Sequence, residues 1–415
     1  MKRYETYKDS GVQWIGEIPN HWKITNIGRI FQIKAGGDAK PELYSDVKDE
    51  IHPFPVYTNT KNPNDIYAYT SQPLFEGNTI TVTGRGEIGL AIYRDTPYDA
   101  IIRLLSLKPK LNIASKYHMY FINAVIPFTS DSAAIGQLSA VQLSPKPVCI
   151  PSLAEQEIIV TFLDEKTAEI DELVSKVERE IELLKEYKQA EIARVVTKGL
   201  NPNAPMKPSG ISWIGEIPQH WDVKRLWAAF TENRKLNNEL ECTEAFKFNY
   251  GALVRKDEDR ELTEEDFETY KKYTIIKPND ILINGLNLNY DFISQRVAIS
   301  YEEGIITSAY LALTPRDGVN PMYYCYLLKS MDAMKLFHGM GTGIRLTLSY
   351  AELRKQPILF PPLEEQQKIV DYINRKTTEI DSLVVELTYQ VEYLKEYKQR
   401  LIADVVTGKI NVQPE

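Results

Sequence analysis

Stepping alternately by three and four residues from Val160 lands on Leu163, Thr167, Ile170, Val174, Val177, Ile181, Leu184, Lys188, Glu191 and Val195. The same walk from Val370 lands on Ile373, Thr377, Ile380, Val384, Leu387, Val391, Leu394, Lys398, Leu401 and Val405. Eight of eleven positions are apolar in the first series and nine in the second, and neither run contains Pro or Gly. A seam this narrow, repeating every seven residues, predicts a coiled-coil helix rather than the broader stripe of an ordinary surface helix. With its flanks each stretch (151–197 and 361–407) is about 45 residues long, or about 65 Å at 1.5 Å per residue. The polar interruptions Thr167/Thr377 and Lys188/Lys398 fall at the same steps in both, as register-setting devices would. Each helix is therefore expected to find its partner in the other. The blander alternative is that each packs only on its neighbouring globular region.

The two stretches are copies, 210 residues apart. Both open with Pro and a Leu-x-Glu-Gln box (Leu153, Glu155, Gln156; Leu363, Glu365, Gln366), carry Lys-Thr-x-Glu-Ile-Asp (Lys166 to Asp171, Lys376 to Asp381), and end in Leu-Lys-Glu-Tyr-Lys-Gln (Leu184 to Gln189, Leu394 to Gln399). A second repeat precedes each globular region: residues 8–22 recur at 207–221 with eleven of fifteen positions identical. Two tryptophans bracket a proline in each (Trp14, Pro19, Trp22; Trp213, Pro218, Trp221), which reads as an aromatic anchor tying a rigid turn to the next domain. His21 and His220 belong to it, and with no acid or nucleophile beside them a hydrogen-bonding role is expected rather than catalysis. The Pro-rich run after Gly199 is a connector. The order is an anchor segment at 1–22, a globular region at 23–150, a long helix at 151–200, linker and second anchor at 201–221, a second globular region at 222–360, and a second long helix at 361–415. Two copies of about 200 residues mean a duplicated unit with approximate two-fold symmetry.

The globular regions resemble each other only faintly. Asn78-Thr-Ile-Thr-Val-Thr-Gly84 lines up with Asn279-Asp-Ile-Leu-Ile-Asn-Gly285, Leu107-Lys-Pro109 with Leu313-Thr-Pro315, and Tyr117-x-x-Tyr120 with Tyr323-x-x-Tyr326. Short β-rich runs punctuated by Gly, Pro and Asn predict a mixed, mainly β domain with a helix near 116–126 or 320–337. The class is α+β. The anchors and helices are held nearly constant while the domains they carry have diverged, as if each performs one task on a different target.

Charge first argues against nucleic acid, since the 415 residues carry a net −8. Its distribution weakens the objection. Residues 151–200 hold 12 acids against 7 bases and 361–415 hold 10 against 7, so the helices account for the whole excess. The globular regions are near neutral, with 13 bases against 11 acids at 23–150 and 18 against 20 at 222–360, which permits local basic faces. The cysteines Cys149, Cys242 and Cys325 make neither a metal spacing nor a disulfide framework, so a cytoplasmic protein is expected. No apolar run is long enough to span a membrane, and the first residues lack the apolar core of a signal peptide.

Catalytic signatures are missing. Gly84-Arg-Gly86-Glu-Ile-Gly89 spells a dinucleotide fingerprint, but the following Leu90 to Thr96 alternates like a strand and stops at Pro97, so a Gly-rich β-turn is expected instead of a phosphate-binding helix. There is no phosphate loop, nucleophile elbow, zinc signature or Asn/Asp-Pro-Pro-Tyr methyltransferase motif. The paired acids Asp257-Glu-Asp259 and Glu264-Glu-Asp266 read as solvated faces. Two polar loops in the second region carry the side chains best suited to base edges: 284–296, with Asn284, Asn287, Asn289, Gln295 and Arg296, and 341–349, with Thr342 and Arg345. Asn and Gln can address adenine through paired bonds, and Arg guanine. The matching stretches in the first region offer Arg85, Gln137 and Ser139. Taken singly, each loop is also ordinary turn chemistry, and the Tyr-rich stretches nearby (Tyr57, Tyr67, Tyr69; Tyr250, Tyr270, Tyr273) are more often half-buried strand residues.

Trp-Ile-Gly-Glu-Ile-Pro-x-His-Trp before each globular region, and Pro-x-Leu-x-Glu-Gln opening each helix, resemble the DNA-specificity subunit of type I restriction-modification enzymes over essentially the whole chain. That resemblance implies two target-recognition domains, each reading one half of a bipartite sequence in the major groove of double-stranded DNA. It implies long helices paired antiparallel, both as a ruler between the domains and as the dock for methyltransferase (modification) subunits, with restriction/motor subunits completing the assembly. It also implies no catalysis and no cofactor in this chain, S-adenosylmethionine being bound by the modification subunit. The family's recognition domains have no fixed contact motif, so the loop residues above rest on chemistry alone. Two other classes remain open to sequence: a single-chain modification enzyme, which the missing motifs disfavour, and a tandem coiled-coil scaffold with two protein-binding domains.

Overall fold

Both seams fold as single long helices, Leu153–Lys198 and Leu363–Val406, in the computed structural model of the chain, which describes residues 2–60, 62, 65–128, 137–256, 262–341, 343 and 346–414. Between 171 and 190, and again between 381 and 397, every seam residue is buried or half-buried and every other residue is exposed. That pattern belongs to a helix with one narrow partner. Among the described residues no helix is long and apolar enough to cross a membrane.

The chain divides into two units, Met1–Glu178 with Thr388–Glu415, and Arg179–Leu387. Each combines an anchor, a globular region, the start of one long helix and the end of the other. In the first unit Lys398 donates to both oxygens of Asp171 at 2.6 and 2.7 Å, and Lys395 donates to Glu178 at 2.7 Å. In the second, Lys188 donates to both oxygens of Asp381 at 2.7 Å, and the Tyr372 hydroxyl to Glu191 at 2.7 Å. Numbers rise on one helix as they fall on the other, so the pairing is antiparallel in each unit. The seam lysines thus escape the apolar seam by reaching equivalent aspartates of the repeated Ile-Asp box. Such exposed pairs contribute only about 0–1 kcal/mol each, so they matter for register more than for stability.

The repeated boxes are joints. Trp22 and Trp221 are fully buried, and their indoles donate to Glu155 (3.3 Å) and Glu365 (2.9 Å). The same carboxylates meet His21 at 2.9 Å and His220 at 2.7 Å. The anchor is therefore bolted to the first turn of the long helix, where the sequence suggested the adjoining domain. The following glutamine bolts the globular region to the same turn: Gln156 accepts from Ala114 N at 2.9 Å and Gln366 from Asn320 N at 2.8 Å. From the region's helix, Ser115–Val125 or Pro321–Ala333, Tyr117 donates to Val406 O and Tyr323 to Val196 O, both at 2.8 Å. Tyr120 and Tyr326 donate at 2.7 Å to Asp164 and Asn374. The aligned Tyr-x-x-Tyr pairs thus grip both long helices.

Each globular region opens and closes with a paired strand, Lys23–Asn26 with Pro147–Ile150 and Asp222–Arg225 with Pro357–Phe360. Its core is an antiparallel four-stranded sheet. The order is Phe31–Ala35, Leu105–Pro109, Thr79–Val82, Ala91–Arg94 in one region and Phe230–Glu232, Leu311–Pro315, Ile281–Ile283, Val297–Ile299 in the other. The central strands Thr79–Val82 and Ile281–Ile283 are buried along their length; the helix covers one face of the sheet, and on the other face in the second region Leu282 packs with Phe246, Ile276 and Ile306. The regions part company on either side of the central hairpin. There the first builds a second sheet from Tyr44–Ser45, Phe54–Tyr57, Ala68–Thr70 and Asp99–Ala100, while the second carries the pairs Phe246–Asn249 with Ala252–Arg255 and Thr274–Ile276 with Gly304–Ile306.

Candidate nucleic-acid interface

In each region the central hairpin ends in a loop that meets the segment leading into a one-turn helix. Residues 83–90 are a turn between antiparallel strands, so the Gly-x-Gly-x-x-Gly run cradles no phosphate. Leu138 N donates to Gly84 O at 2.8 Å, and a side chain on Gly84 would place its Cβ 2.8 Å from Leu138 O. The second region repeats the joint: Leu348 N donates to Gly285 O at 2.9 Å, and a Cβ on Gly285 would lie 2.7 Å from Leu348 O. Glycine is needed because two backbones touch. The loops paired by the sequence argument are brought together by this contact.

In the first region Arg85 is exposed and donates from Nη2 to Gln137 Oε1 at 3.3 Å, so two of the expected residues share one surface. Ser139 is committed locally. Its hydroxyl donates to Gln142 Oε1 at 2.8 Å and accepts from Gln142 N at 3.4 Å, capping the helix Ala140–Leu143. Asn59 had no sequence signal, since it lies on the divergent insertion. Its Oδ1 accepts from Gly84 N at 2.7 Å and Arg85 N at 3.2 Å, while its amide donates to Ile102 O at 2.7 Å. Next to Ile102, Arg103 is exposed on a left-handed backbone (φ 60°). Two exposed guanidiniums and two amides thus gather around Gly84.

In the second region the loop 284–296 is built around Arg296, and here the sequence expectation is corrected. Arg296 is 0% exposed. Its guanidinium donates to Asn284 O (3.0 Å), Leu286 O (2.7 Å) and Asp291 O (2.7 Å), so it holds the loop from inside and has no reach to a base edge. Hydrogen bonds from Ser294 pull the Asp291 carboxyl down to about 2, with Arg296 adding to them against the effect of burial. Asn284 is half-buried and its Oδ1 accepts from Leu286 N at 3.2 Å. Asn287 is exposed on a left-handed backbone (φ 52°), Asn289 is half-buried, and Gln295 is exposed over Gly251. Beyond the amides the loop presents apolar tips that the sequence argument missed: Tyr290 is 78% and Ile293 92% exposed, and Phe292 stacks on His338 at 4.6 Å. Thr342 and Arg345 lie outside the described residues, as do Asp257-Glu-Asp259. Of the Tyr-rich stretches, Tyr250 is exposed beside Gln295, Tyr270 is buried, and Tyr57 lies under the Arg94 guanidinium at 3.5 Å.

The first surface offers exposed guanidiniums beside the half-buried amides of Asn59 and Gln137, and the second offers the exposed amides of Asn287 and Gln295 with aromatic and aliphatic tips. These are the groups that read base edges and thymine methyls. Among the described residues no group of His, Cys, Asp and Glu comes together as a metal site.

A family model described as the type I restriction modification DNA specificity domain matches residues 19–183 and again 230–392. Two proteins of Mycoplasma pneumoniae described as type I specificity subunits are each 30% identical, over 188 and 169 residues; the chain spans about half of their length, 54% and 45%. The EcoBI specificity subunit of Escherichia coli is 24% identical over 434 residues, covering 98% of this chain and 90% of that one. Among solved structures, a chain from a study of complex assembly and conformational transition of the type I R-M system matches with a TM-score of 0.67 at 12% identity, over 95% of this chain and 99% of its own. The HsdS subunit from Thermoanaerobacter tengcongensis matches with a TM-score of 0.52 at 13% identity, over 95% and 98%. At such identities the structural likeness speaks for the fold.

Proposed function

We propose, for a chain that belongs to the type I restriction-modification DNA specificity family, that its two globular regions, 23–150 and 222–360, are target-recognition domains reading the two halves of a bipartite sequence in double-stranded DNA. As a specificity subunit the chain is the non-catalytic member of its system. The observation that carries the reading is the contrast within each unit: Gly84–Leu138 and Gly285–Leu348 make the same joint, yet the side chains presented around it differ. One scaffold holding two different polar surfaces suits two different sequences better than one shared ligand. The long helices, whose exposed faces carry Leu173, Leu183, Val385, Tyr389 and Tyr393 among charged residues, would set the gap between half-sites and dock methyltransferase subunits, with restriction subunits joining the assembly. Cys149, Cys242 and Cys325 are unpaired, which suits a cytoplasmic setting.

The test is a swap. Residues 23–150 are replaced by the corresponding region of a relative, and modified bases are mapped across a genome carrying the system. One half of the modified sequence should change and the other stay. A change in both halves would mean that the regions read DNA jointly, and DNA binding without sequence preference would favour a scaffold for proteins.

A further inference from the structure

Beside the strands that open and close the second region, Trp227 stands 49% exposed. Four cations gather round it. Arg225 donates from Nη1 to Lys355 O at 2.7 Å, Arg316 donates from Nε to Trp227 O at 3.0 Å, and Trp227 N donates to Arg354 O at 3.3 Å. All four cationic residues are exposed. The Arg354 guanidinium lies over the Tyr350 ring, 5.9 Å from its centre. Among the described residues no acid forms an ion pair with any of the four. Asp222 lies 3.9 Å from Lys224 and Glu232 is held by Arg234 at 2.8 Å, while Glu352 and Asp317 make no ion pair among the described residues.

The first region has the same backbone at this place with its cations set differently: Arg29 and Lys110 line the hollow beside Asn26, Gly28 and Ser144, and Lys146 follows Pro145. Gly28 N donates to Ser144 O at 2.9 Å, Lys110 N to Ile30 O at 2.8 Å, and Ile27 N to Lys146 O at 3.0 Å. Their counterparts are Trp227 N to Arg354 O at 3.3 Å, Arg316 N to Ala229 O at 2.8 Å, and Leu226 N to Gln356 O at 3.0 Å. Trp227, Arg354, Lys355 and Arg225 therefore stand where Gly28, Ser144, Pro145 and Asn26 stand, and only Arg316 has a cationic counterpart, Lys110. The fold does not require these side chains.

We propose that this patch clamps the phosphate backbone of duplex DNA beside the second half-site, a grip that the first region lacks in this form. The proposal rests on the DNA-reading function above. The short helix Tyr350–Leu353 runs from the joint at Leu348 to Arg354, so clamp and reading loop share one support. Arg225 and Arg316 each spend one of their five N–H donors on a backbone carbonyl, which fixes the planar fork while leaving its other donors for phosphate oxygens. The exposed indole gives sugar edges an apolar surface to rest on.

The test uses the full chain assembled with its modification subunits and two duplexes, one bearing the mapped modified sequence and one with that sequence scrambled. Affinity is measured across salt concentrations for wild type and for R354S/K355Q, both changes lying at exposed positions. The slope of log affinity on log salt should become shallower by about 0.9 for each lost phosphate contact, about 1.8 in all, equally on both duplexes. The preference for the mapped sequence should be unchanged. An unchanged slope overturns the clamp. An unchanged slope with weakened assembly also overturns it and assigns the patch to a protein partner. If wild type prefers neither duplex while the variant's slope still falls, the clamp stands and the half-site reading fails.

Discussion

Glu155 is the residue on which most of the first unit's joints converge, and its removal has a calculable effect. Its carboxylate accepts from the buried Trp22 indole at 3.3 Å, meets His21 at 2.9 Å, and accepts from Ser152 N at 3.2 Å and Ser152 Oγ at 3.0 Å. Glu155 N donates back to Ser152 Oγ at 3.3 Å, completing a capping box on the long helix. Glu155→Ala leaves a buried indole N–H without its acceptor, which costs about 1–3 kcal/mol, and removes half of a cap, about 1 kcal/mol. Local opening of the anchor should rise between about 30-fold and about 1,000-fold, at 1.4 kcal/mol per factor of ten. Hydrogen exchange over residues 4–22 reads this directly, without requiring the two units to unfold together. Glu155→Gln, which keeps an acceptor for the indole, should have a smaller effect. Glu365→Ala should lose the anchor bonds but not the box, because Pro362 stands where Ser152 does. Exchange unchanged in Glu155→Ala would refute the idea that this carboxylate holds the anchor. Acid adds a second check. Burial pushes the Glu155 carboxyl up, but hydrogen bonds from His21, Trp22 and Ser152 outweigh it and leave the folded pKa below its ordinary value. The stabilisation is thus present above the unfolded pKa and lost as pH falls through the folded one, so the anchor should loosen in acid in wild type and not further in Glu155→Ala.

Arg85→Ala should relax the first half-site alone, by about 1–3 kcal/mol at one base, seen as a broadened modified sequence in that half. Arg296→Ala should act differently: losing a buried guanidinium that holds three carbonyls should free the loop 284–296, visible as faster exchange there together with degraded reading of the second half-site. Rapid exchange without any change in the modified sequence would separate that loop from DNA reading. Matched four-residue insertions after Val177 and Leu387 add about 6 Å to each helix, so the mapped gap should lengthen by roughly two base pairs while both half-sites persist. An unchanged gap with full activity would leave the helices as a docking surface alone.

The scaffold was legible because it is written twice. A heptad needs only side-chain period to be recognised, and burial off and on the seam from 171 to 190 follows it residue by residue. The partners of the repeated boxes were not legible. Glu155 and Gln156 recur with Glu365 and Gln366, but nothing in their spacing says that one holds a histidine and a tryptophan 134 and 133 residues away and the other a backbone amide 42 away. Such contacts are set by the way the first and last strands of each globular region close beside the helix start. Recurrence marked the residues as constrained, and only tertiary structure supplied the constraint.

At the candidate interface the limit was one of direction rather than of residue type. Arg296 and Arg85 both sit on loops after a central strand and both carry a group suited to guanine, yet one points inward and the other outward. A loop of thirteen residues leaves too many backbone polar groups without secondary-structure partners, and a buried guanidinium with five donors is an economical way to satisfy several carbonyls at once. The turn 83–90 is short enough to close on itself, with Thr83 bonding Glu87, Gly89 and Leu90, so its arginine is not needed inside. Loop length therefore decides what an arginine is for. The longer loop carries the larger, more varied surface but must give up a cation to hold its shape. The second region's exposed cations then stand elsewhere, at Arg225, Arg316, Arg354 and Lys355, where the first region has Asn26, Lys110, Ser144 and Pro145.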